Sequence, residues 1–222
     1  MQITTFADGV LSLTSDRYIC KYRCFQLEHF SRQKFDEWLV VKMQTNVSCE
    51  FFEVSCGENN GNPLNETSYR EHYRMPYAQA VHKQGVMERT IDDLYRPSVV
   101  VILLDSVSHS SAERRMPQTL KFLKEELNLT VFDGYAKVGL NSNPNGMAFL
   151  TGKMKEPPFG KKSDAGSNDD AKQQSIWNEY KKRGFVTFFS EDDPLHLLFD
   201  QFSSAPTDHF LGPYWTHSDS IQ

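Results

Sequence analysis

Two acidic positions have the placement that metal-assisted or acid–base chemistry requires. Asp105 directly follows the apolar run at 98–104, and Asp192 lies in the acidic stretch after the apolar run at 185–190. Divalent cations that prefer oxygen ligands need carboxylates held on rigid elements. Acidic residues at strand ends also serve as ordinary loop caps, so position alone leaves a cation site and a purely structural role open.

A serine in the turn at 139–146 is the candidate nucleophile. The turn reads Gly-Leu-Asn-Ser-Asn-Pro-Asn-Gly and leads into the helix predicted at 145–150, so Ser142 lies just ahead of that helix. Free backbone N–H groups and the positive end of the helix dipole stabilise a phosphate or sulfate there and make an alkoxide less costly. Asn and Ser are also favoured N-caps and Pro144 suits a first turn, so helix capping alone explains the same composition.

The elements that would hold these residues alternate between strands and helices from residue 98 onward. The predicted elements are strand 98–104, helix 116–127, strand 131–138, helix 145–150, helix 171–183 and strand 185–190. The continuous run SVVVILL is typical of a strand buried on both faces of a mainly parallel sheet. Ligands of open α/β sheets gather outside the carboxyl ends of such strands. The sequence therefore predicts an α/β fold with Asp105 and Asp192 at that edge.

The N-terminal part differs in composition from the rest of the chain. All four cysteines, Cys20, Cys24, Cys49 and Cys56, lie there, and oxidation would allow three pairings. Disulfides are favoured over zinc because the second pair of cysteines is too far apart for a structural zinc site. Residues 1–80 are predicted to form a small Cys-containing cap region with a strand at 51–54, and residues 97–222 the α/β domain.

Three N-glycosylation sequons and the even number of cysteines indicate the compartment. The sequons start at Asn46, Asn65 and Asn128. Together with disulfides they favour an extracellular or secretory-lumen protein whose signal peptide is not present in this sequence. Sequons also arise by chance in a chain rich in asparagine.

Charge and hydropathy exclude two classes of partner. The net charge is -5, and basic residues are scattered rather than clustered, so nucleic acid is not an expected partner. No apolar run approaches the length of about 18 residues that a membrane-spanning helix needs, and no membrane span is expected.

Four segments together resemble a known family. RPSVVVILLDSVSHSSAERRMPQTLKFLKEEL, FDGYAKVGLNSNPNGMAFLTGK, GFVTFFSEDDP and PTDHFLGPYW occur in that order. Order, spacing and strand context resemble an uncharacterised invertebrate family, DUF229-type, of the alkaline-phosphatase/sulfatase-like superfamily. The resemblance covers residues 98–215 well and the Cys-containing part more loosely.

The resemblance implies a metal-dependent hydrolase of phosphate or sulfate esters of small molecules or glycans, with a divalent metal, zinc or calcium. Matched position by position, Asp105 corresponds to a metal ligand and Ser142 to the nucleophile. Asn145 corresponds to the asparagine that hydrogen-bonds a substrate oxygen, and Asp192 to a substrate-contacting position.

This sequence differs from the family pattern in two ways. Gly146 replaces the arginine of the sulfatase C/S-x-P-x-R motif, so formylglycine is not expected and a phosphoesterase is favoured over a sulfatase. The family's later metal ligands come from strands further along than residue 222, and the Asp208-His209 pair is interpreted as loop-positioning. The chain therefore reads as the N-terminal portion of such a domain, incomplete or inactive as an enzyme.

Two alternatives come from other functional classes. One is a non-catalytic secreted binding module that retains the scaffold. The other is a disulfide-stabilised interaction protein in which Asp105 and Ser142 merely cap local structure.

An α/β domain with few strands would also leave sheet surface uncovered, through which the chain could associate.

Overall fold

The structure, a computed structural model, describes residues 3–29, 32–58, 69–90, 96–153, 174–193, 198, 202 and 204–221. The chain divides into two compact units, one of Met1–Ile91 with Gly160–Gln222 and one of Asp92–Phe159. The two domains predicted from the sequence, residues 1–80 and 97–222, stay a prediction. Residues from 160 onward join the N-terminal part in this division.

Eight strands lie among the described residues of the N-terminal part of the first unit. They are β1 (Thr4–Ala7), β2 (Val10–Leu13), β3 (Tyr18–His29), β4 (Arg32–Phe35), β5 (Leu39–Val40), β6 (Gln44–Asn46), β7 (Phe51–Glu58) and β8 (Glu71–Ala78). One sheet has the order β1-β2-β6, and the other has the order β4-β3-β7-β8 with β5 paired to β3. Every one of these pairs is antiparallel. The predicted strand at 51–54 is confirmed as the start of β7.

Alternation along β3 and β7 builds the core of this unit. Side chains two residues apart point to the same face of a strand. The core face therefore carries Cys20 from β3 together with Phe52, Val54 and Cys56 from β7, all fully buried and packed with Leu11 of β2. Complete burial of a side chain the size of Phe52 stabilises the fold by roughly 1.5–3 kcal/mol.

The opposite face of the larger sheet carries the buried carboxylate of Glu53 beside aromatic side chains. Arg23 Nε lies 2.5 Å from Glu53 Oε1, and His217 Nε2 lies 2.8 Å from Oε2. Burial alone raises the pKa of Glu53, but the hydrogen bonds from His217 and Arg23 and the Arg23 charge outweigh it and leave the pKa below its ordinary value. The ring of His217 packs on Phe25 with centroids 4.6 Å apart. Glu53 therefore ties the C-terminal helix to the sheet.

Six helices lie among the described residues. They are α1 (Gln84–Arg89), α2 (His109–Arg115), α3 (Pro117–Glu126), α4 (Ser142–Thr151), α5 (Ile176–Lys182) and α6 (Gly212–Ser220). Of these, α2, α3 and α4 belong to the second unit. Helix α3 confirms the prediction over 116–127 and begins with proline, which suits a first turn. Helix α4 covers the predicted helix 145–150, begins three residues earlier, and is followed by Gly152, whose φ of 69° gives a left-handed C-cap.

Asp208 anchors the segment that leads into α6. Strands β9 (Phe188–Phe189) and β10 (His209–Phe210) pair in parallel. The Asp208 carboxylate accepts hydrogen bonds from the backbone N–H and the hydroxyl of Thr187 and forms an ion pair with Arg89 at 2.8 Å. His209 Nδ1 lies 2.6 Å from Glu50 Oε1. This geometry agrees with a loop-positioning role for the Asp208-His209 pair.

Two predicted strands are absent, and a third is shorter than predicted. Residues 98–104 form no strand and are exposed, with Val100 at 78% and Ile102 at 81%. Residues 131–138 likewise form no strand, and the prediction over 185–190 is reduced to the two residues of β9. A strand exists only through its hydrogen-bonded neighbours, and no described segment pairs with 98–104 or 131–138. The predicted mainly parallel sheet is not found in the part of the chain that the structure describes.

Candidate functional site

The two residues predicted to do chemistry in the second unit are in direct contact. Ser142 is the first residue of α4, and its Oγ donates a hydrogen bond of 2.7 Å to Oδ1 of Asp105. The two residues are 37 positions apart, so the contact reflects the fold of the unit rather than local sequence. A hydroxyl hydrogen-bonded to a carboxylate is the arrangement in which a serine can lose its proton as it attacks an electrophile.

The backbone is strained directly beside Asp105. Ser106 has a φ of 58°, in the left-handed region that serine rarely adopts. This conformation costs a non-glycine residue about 1–2 kcal/mol. Strained backbone tends to occur at functional sites, where the surrounding structure holds it in place.

Ser106→Gly is expected to raise the free energy of unfolding of the second unit by about 0.5–1 kcal/mol, because glycine adopts positive φ without a steric penalty. Chemical denaturation followed by circular dichroism measures the change. Ser110→Gly, inside α2, is the matched control and should instead lower stability by about 0.5–1 kcal/mol. Equal losses in both variants would show that Ser106 is not strained.

The turn that precedes α4 is fixed by the side chain of Asn145. Its Oδ1 accepts from the backbone N–H groups of Val138 and Gly139 at 2.7 and 3.2 Å. Its Nδ2 donates to the carbonyl oxygens of Gly139 and Asn141 at 3.0 and 2.5 Å. The amide thus makes four hydrogen bonds within residues 138–145, here called the 138–145 turn. The contact with a substrate oxygen that the sequence suggested for Asn145 stays a prediction.

Asp192 lies in the first unit, exposed and three residues beyond the end of β9. Asp105, Ser142 and Asn145 all belong to the second unit. The structure therefore brings three of the four predicted site residues together, and a substrate contact by Asp192 stays a prediction.

The donor set at Asp105 does not make a metal centre by itself. It consists of one carboxylate and the Ser142 hydroxyl, whereas tight zinc sites need three or four converging ligands. No group of three or more His, Cys, Asp or Glu side chains converges within the residues that the structure describes. Any further ligands to a metal at this position would come from outside those residues.

The cysteine prediction is confirmed and its pairing is resolved. Cys20 bonds to Cys56 and Cys24 bonds to Cys49. The first bond joins directly opposed residues of β3 and β7. Of the sequon asparagines, Asn46 and Asn128 are exposed, and Asn65 lies outside the described residues.

Sequence reasoning missed Glu53, His217 and the strain at Ser106. A glutamate within the apolar run Phe-Phe-Glu-Val of β7 was a usable signal, because a charge there must be paired if it is buried. Nothing local distinguishes His217 or Ser106, since the burial of one and the backbone conformation of the other are set by the fold.

Helices long and apolar enough to cross a membrane are absent from the described residues. The fold and the site define a mixed α/β protein with disulfide-linked antiparallel strands and, in a separate unit, a serine–aspartate pair at the start of a helix. The chain belongs to the family described as "Protein of unknown function (DUF229)", whose model matches residues 3–221. No curated protein and no solved structure matches it.

Proposed function

We propose that the second unit carries the nucleophile of a phosphate- or sulfate-ester hydrolase, with Ser142 as the attacking residue. The observation that carries the proposal is the hydrogen bond of 2.7 Å from Ser142 Oγ to Asp105 Oδ1. The strained conformation of Ser106 beside Asp105 supports it. The resemblance to the alkaline-phosphatase/sulfatase-like superfamily, with its mainly parallel sheet, gives the same class of reaction.

The described residues account for the first half of such a reaction. Ser142 Oγ forms a bond to the phosphorus or sulfur of the ester as the bond to the leaving oxygen breaks. The hydroxyl proton passes to the Asp105 carboxylate, which already accepts its hydrogen bond, and from there to the departing oxygen, so that the alcohol leaves and the carboxylate is restored. Water then hydrolyses the seryl ester, which restores the Ser142 hydroxyl and releases phosphate or sulfate.

The start of α4 would stabilise the charge on the transferred group. Helix α4 is ten residues long, and the side chain of its N-cap residue, Asn141, does not cap the backbone N–H groups of the first turn. Those groups and the helix dipole favour anionic oxygens at this end of the helix. A phosphoryl group on Ser142 would lie beside them because Ser142 is the first helical residue.

The site supports a phosphate ester over a sulfate ester. Gly146 stands where sulfatases carry the arginine that accompanies conversion of the nucleophile to formylglycine. An unmodified serine hydroxyl suits phosphoryl transfer through a seryl-phosphate intermediate.

The proposal is tested by hydrolysis of an aryl phosphate and an aryl sulfate by the full chain, with and without added zinc, manganese or calcium. The expected result is release of the aryl alcohol from the phosphate, reduced by about 10³-fold or more in Ser142→Ala. Thr151→Ala, at the other end of α4, is the control and should keep the wild-type rate. Equal rates in wild type and Ser142→Ala would reject Ser142 as the nucleophile.

A non-catalytic binding module is the second candidate, and the incomplete donor set at Asp105 favours it. One carboxylate and one hydroxyl are too few to hold a metal tightly. Folded protein that releases no aryl alcohol with any of the three cations would support this alternative.

We infer an extracellular or lumenal location from the two disulfides, since such bonds persist in oxidising compartments. The exposed sequon asparagines Asn46 and Asn128 are compatible with it. An unchanged electrophoretic mobility after glycosidase treatment of the protein from secreting cells would count against glycosylation at these positions.

A further inference from the structure

The side chain of Asn145 is fully occupied within its own turn. An asparagine amide offers two acceptor lone pairs and two N–H donors. Two backbone N–H groups, of Val138 and Gly139, use the oxygen, and two carbonyl oxygens, of Gly139 and Asn141, use the nitrogen. A substrate oxygen could bind Asn145 only by displacing one of these bonds.

A close contact between Gly139 and Pro144 also restricts the same turn. A Cβ placed on Gly139 would lie 2.4 Å from Cγ and 2.7 Å from Cβ of Pro144, closer than real Cβ atoms approach. Pro144 is a buried first-turn residue of α4. The Gly139–Pro144 contact and the Asn145 amide therefore hold the chain before Ser142 and the first turn after it in one arrangement.

We propose that Asn145 is a positioning residue, which fixes the 138–145 turn so that Ser142 Oγ points at Asp105, rather than a substrate contact. The link is covalent and short. Asn141, whose carbonyl Asn145 holds at 2.5 Å, directly precedes Ser142. Loss of the amide releases that carbonyl, and the Ser142 backbone with it. The importance of this role for catalysis rests on the proposed function. The hydrogen bonds that fix the turn do not depend on it.

Nuclear magnetic resonance of the labelled full chain tests the proposal without requiring activity. In Asn145→Ala, hydrogen exchange at the Val138 and Gly139 amides should accelerate by about 2- to 10-fold, the effect of losing one ordinary hydrogen bond. Ser142→Ala is the control and should leave both exchange rates unchanged. Unchanged exchange in Asn145→Ala would overturn the proposal.

A second readout reports the positioning of Ser142 itself. Asp105→Asn should shift the Ser142 Cβ resonance in the wild-type background, because the hydroxyl loses its carboxylate acceptor. The same substitution should have little effect in the Asn145→Ala background, where the Ser142–Asp105 bond is already broken. Equal shifts in the two backgrounds would show that Asn145 does not position Ser142.

A third readout needs no variant, so it holds even if Asn145→Ala does not fold. On titration of wild type with inorganic phosphate, the Ser142 amide should shift while the Asn145 side-chain amide stays in place. Movement of both together would make Asn145 a direct ligand and overturn the proposal. If phosphate moves neither resonance, the proposed function loses support, and the exchange and Cβ measurements still decide the positioning role.

Discussion

Replacing Glu53 with glutamine is expected to lower the free energy of unfolding of the first unit by about 3–5 kcal/mol. Glu53 is fully buried and is the shared partner of Arg23 and His217. Glutamine keeps the size of the side chain but leaves the charges of Arg23 and of Arg74, whose Nη1 lies 3.8 Å from Glu53 Oε2, without their carboxylate. Urea denaturation followed by tryptophan fluorescence measures the loss.

Glu58→Gln is the matched control for Glu53→Gln, because Glu58 lies on the same strand with half of its side chain exposed. Exposed ion pairs contribute about 0–1 kcal/mol, so the control should change stability little. Similar losses in the two variants would show that the buried network around Glu53 contributes nothing particular to this unit.

The effect of Glu53→Gln should also depend on pH. The pKa of Glu53 in the folded protein lies below its ordinary value, so its carboxylate stabilises the fold at pH values above the unfolded-state pKa of about 4.3. That stabilisation is lost as pH falls through the folded-state pKa. The difference between wild type and Glu53→Gln should therefore shrink below about pH 4. A difference that grows on acidification would contradict this account of the network.

Removing the Cys20–Cys56 disulfide is expected to be the second large perturbation. The bond closes a sequence separation of 36 residues, for which the chain-entropy relation gives about 4 kcal/mol. Both cysteines are fully buried in the core, so alanine at both positions also removes packed sulfur atoms. Thermal and urea unfolding of Cys20→Ala/Cys56→Ala measure the combined loss.

The Cys24–Cys49 bond provides the comparison within the same unit. Its separation of 25 residues gives about 3.5 kcal/mol, and its cysteines are only partly buried. Cys24→Ala/Cys49→Ala should therefore destabilise the unit less than the double substitution at Cys20 and Cys56. A larger loss of stability in Cys24→Ala/Cys49→Ala would mean that chain entropy and core packing do not determine how much each disulfide stabilises the unit.

Local signals predicted three of the six described helices, α3, α4 and α5, whereas α1, α2 and α6 were not predicted. Pro117 at the start of α3 and Gly152 at the end of α4 act within a few residues, so the sequence alone determines those boundaries closely. The apolar run at 98–104 shows the limit of this reasoning. Its β-branched composition predicts a strand, but a strand requires neighbours, and no described segment pairs with it.

Disulfide formation was predictable, but the pairing was not. Four cysteines allow three pairings on spacing alone, and the antiparallel register of β3 and β7 selects one by placing Cys20 opposite Cys56. That register depends on alternation along both strands and on the packing of Phe52 and Val54, which are long-range properties.

The chemical roles of the candidate site residues stay predictions, but the contact between two of them could not be predicted from the sequence. Ser142 and Asp105 came from helix-start and strand-end signals, and their hydrogen bond joins two segments that no local pattern could have paired. The sequence could not predict that all hydrogen-bonding groups of the Asn145 amide are used within the turn, because this depends on the exact backbone path of residues 138–145.

The proposed role of Ser142 as a nucleophile is best tested by the chemical state of that residue during exposure to an aryl phosphate. The full chain would be quenched in acid, digested, and the peptide containing Ser142 examined by mass spectrometry. The account predicts a phosphoryl group on Ser142 in wild type, which is absent when Ala occupies the position. Release of aryl alcohol without any phosphoryl group on Ser142, or folded protein that shows neither, would contradict it.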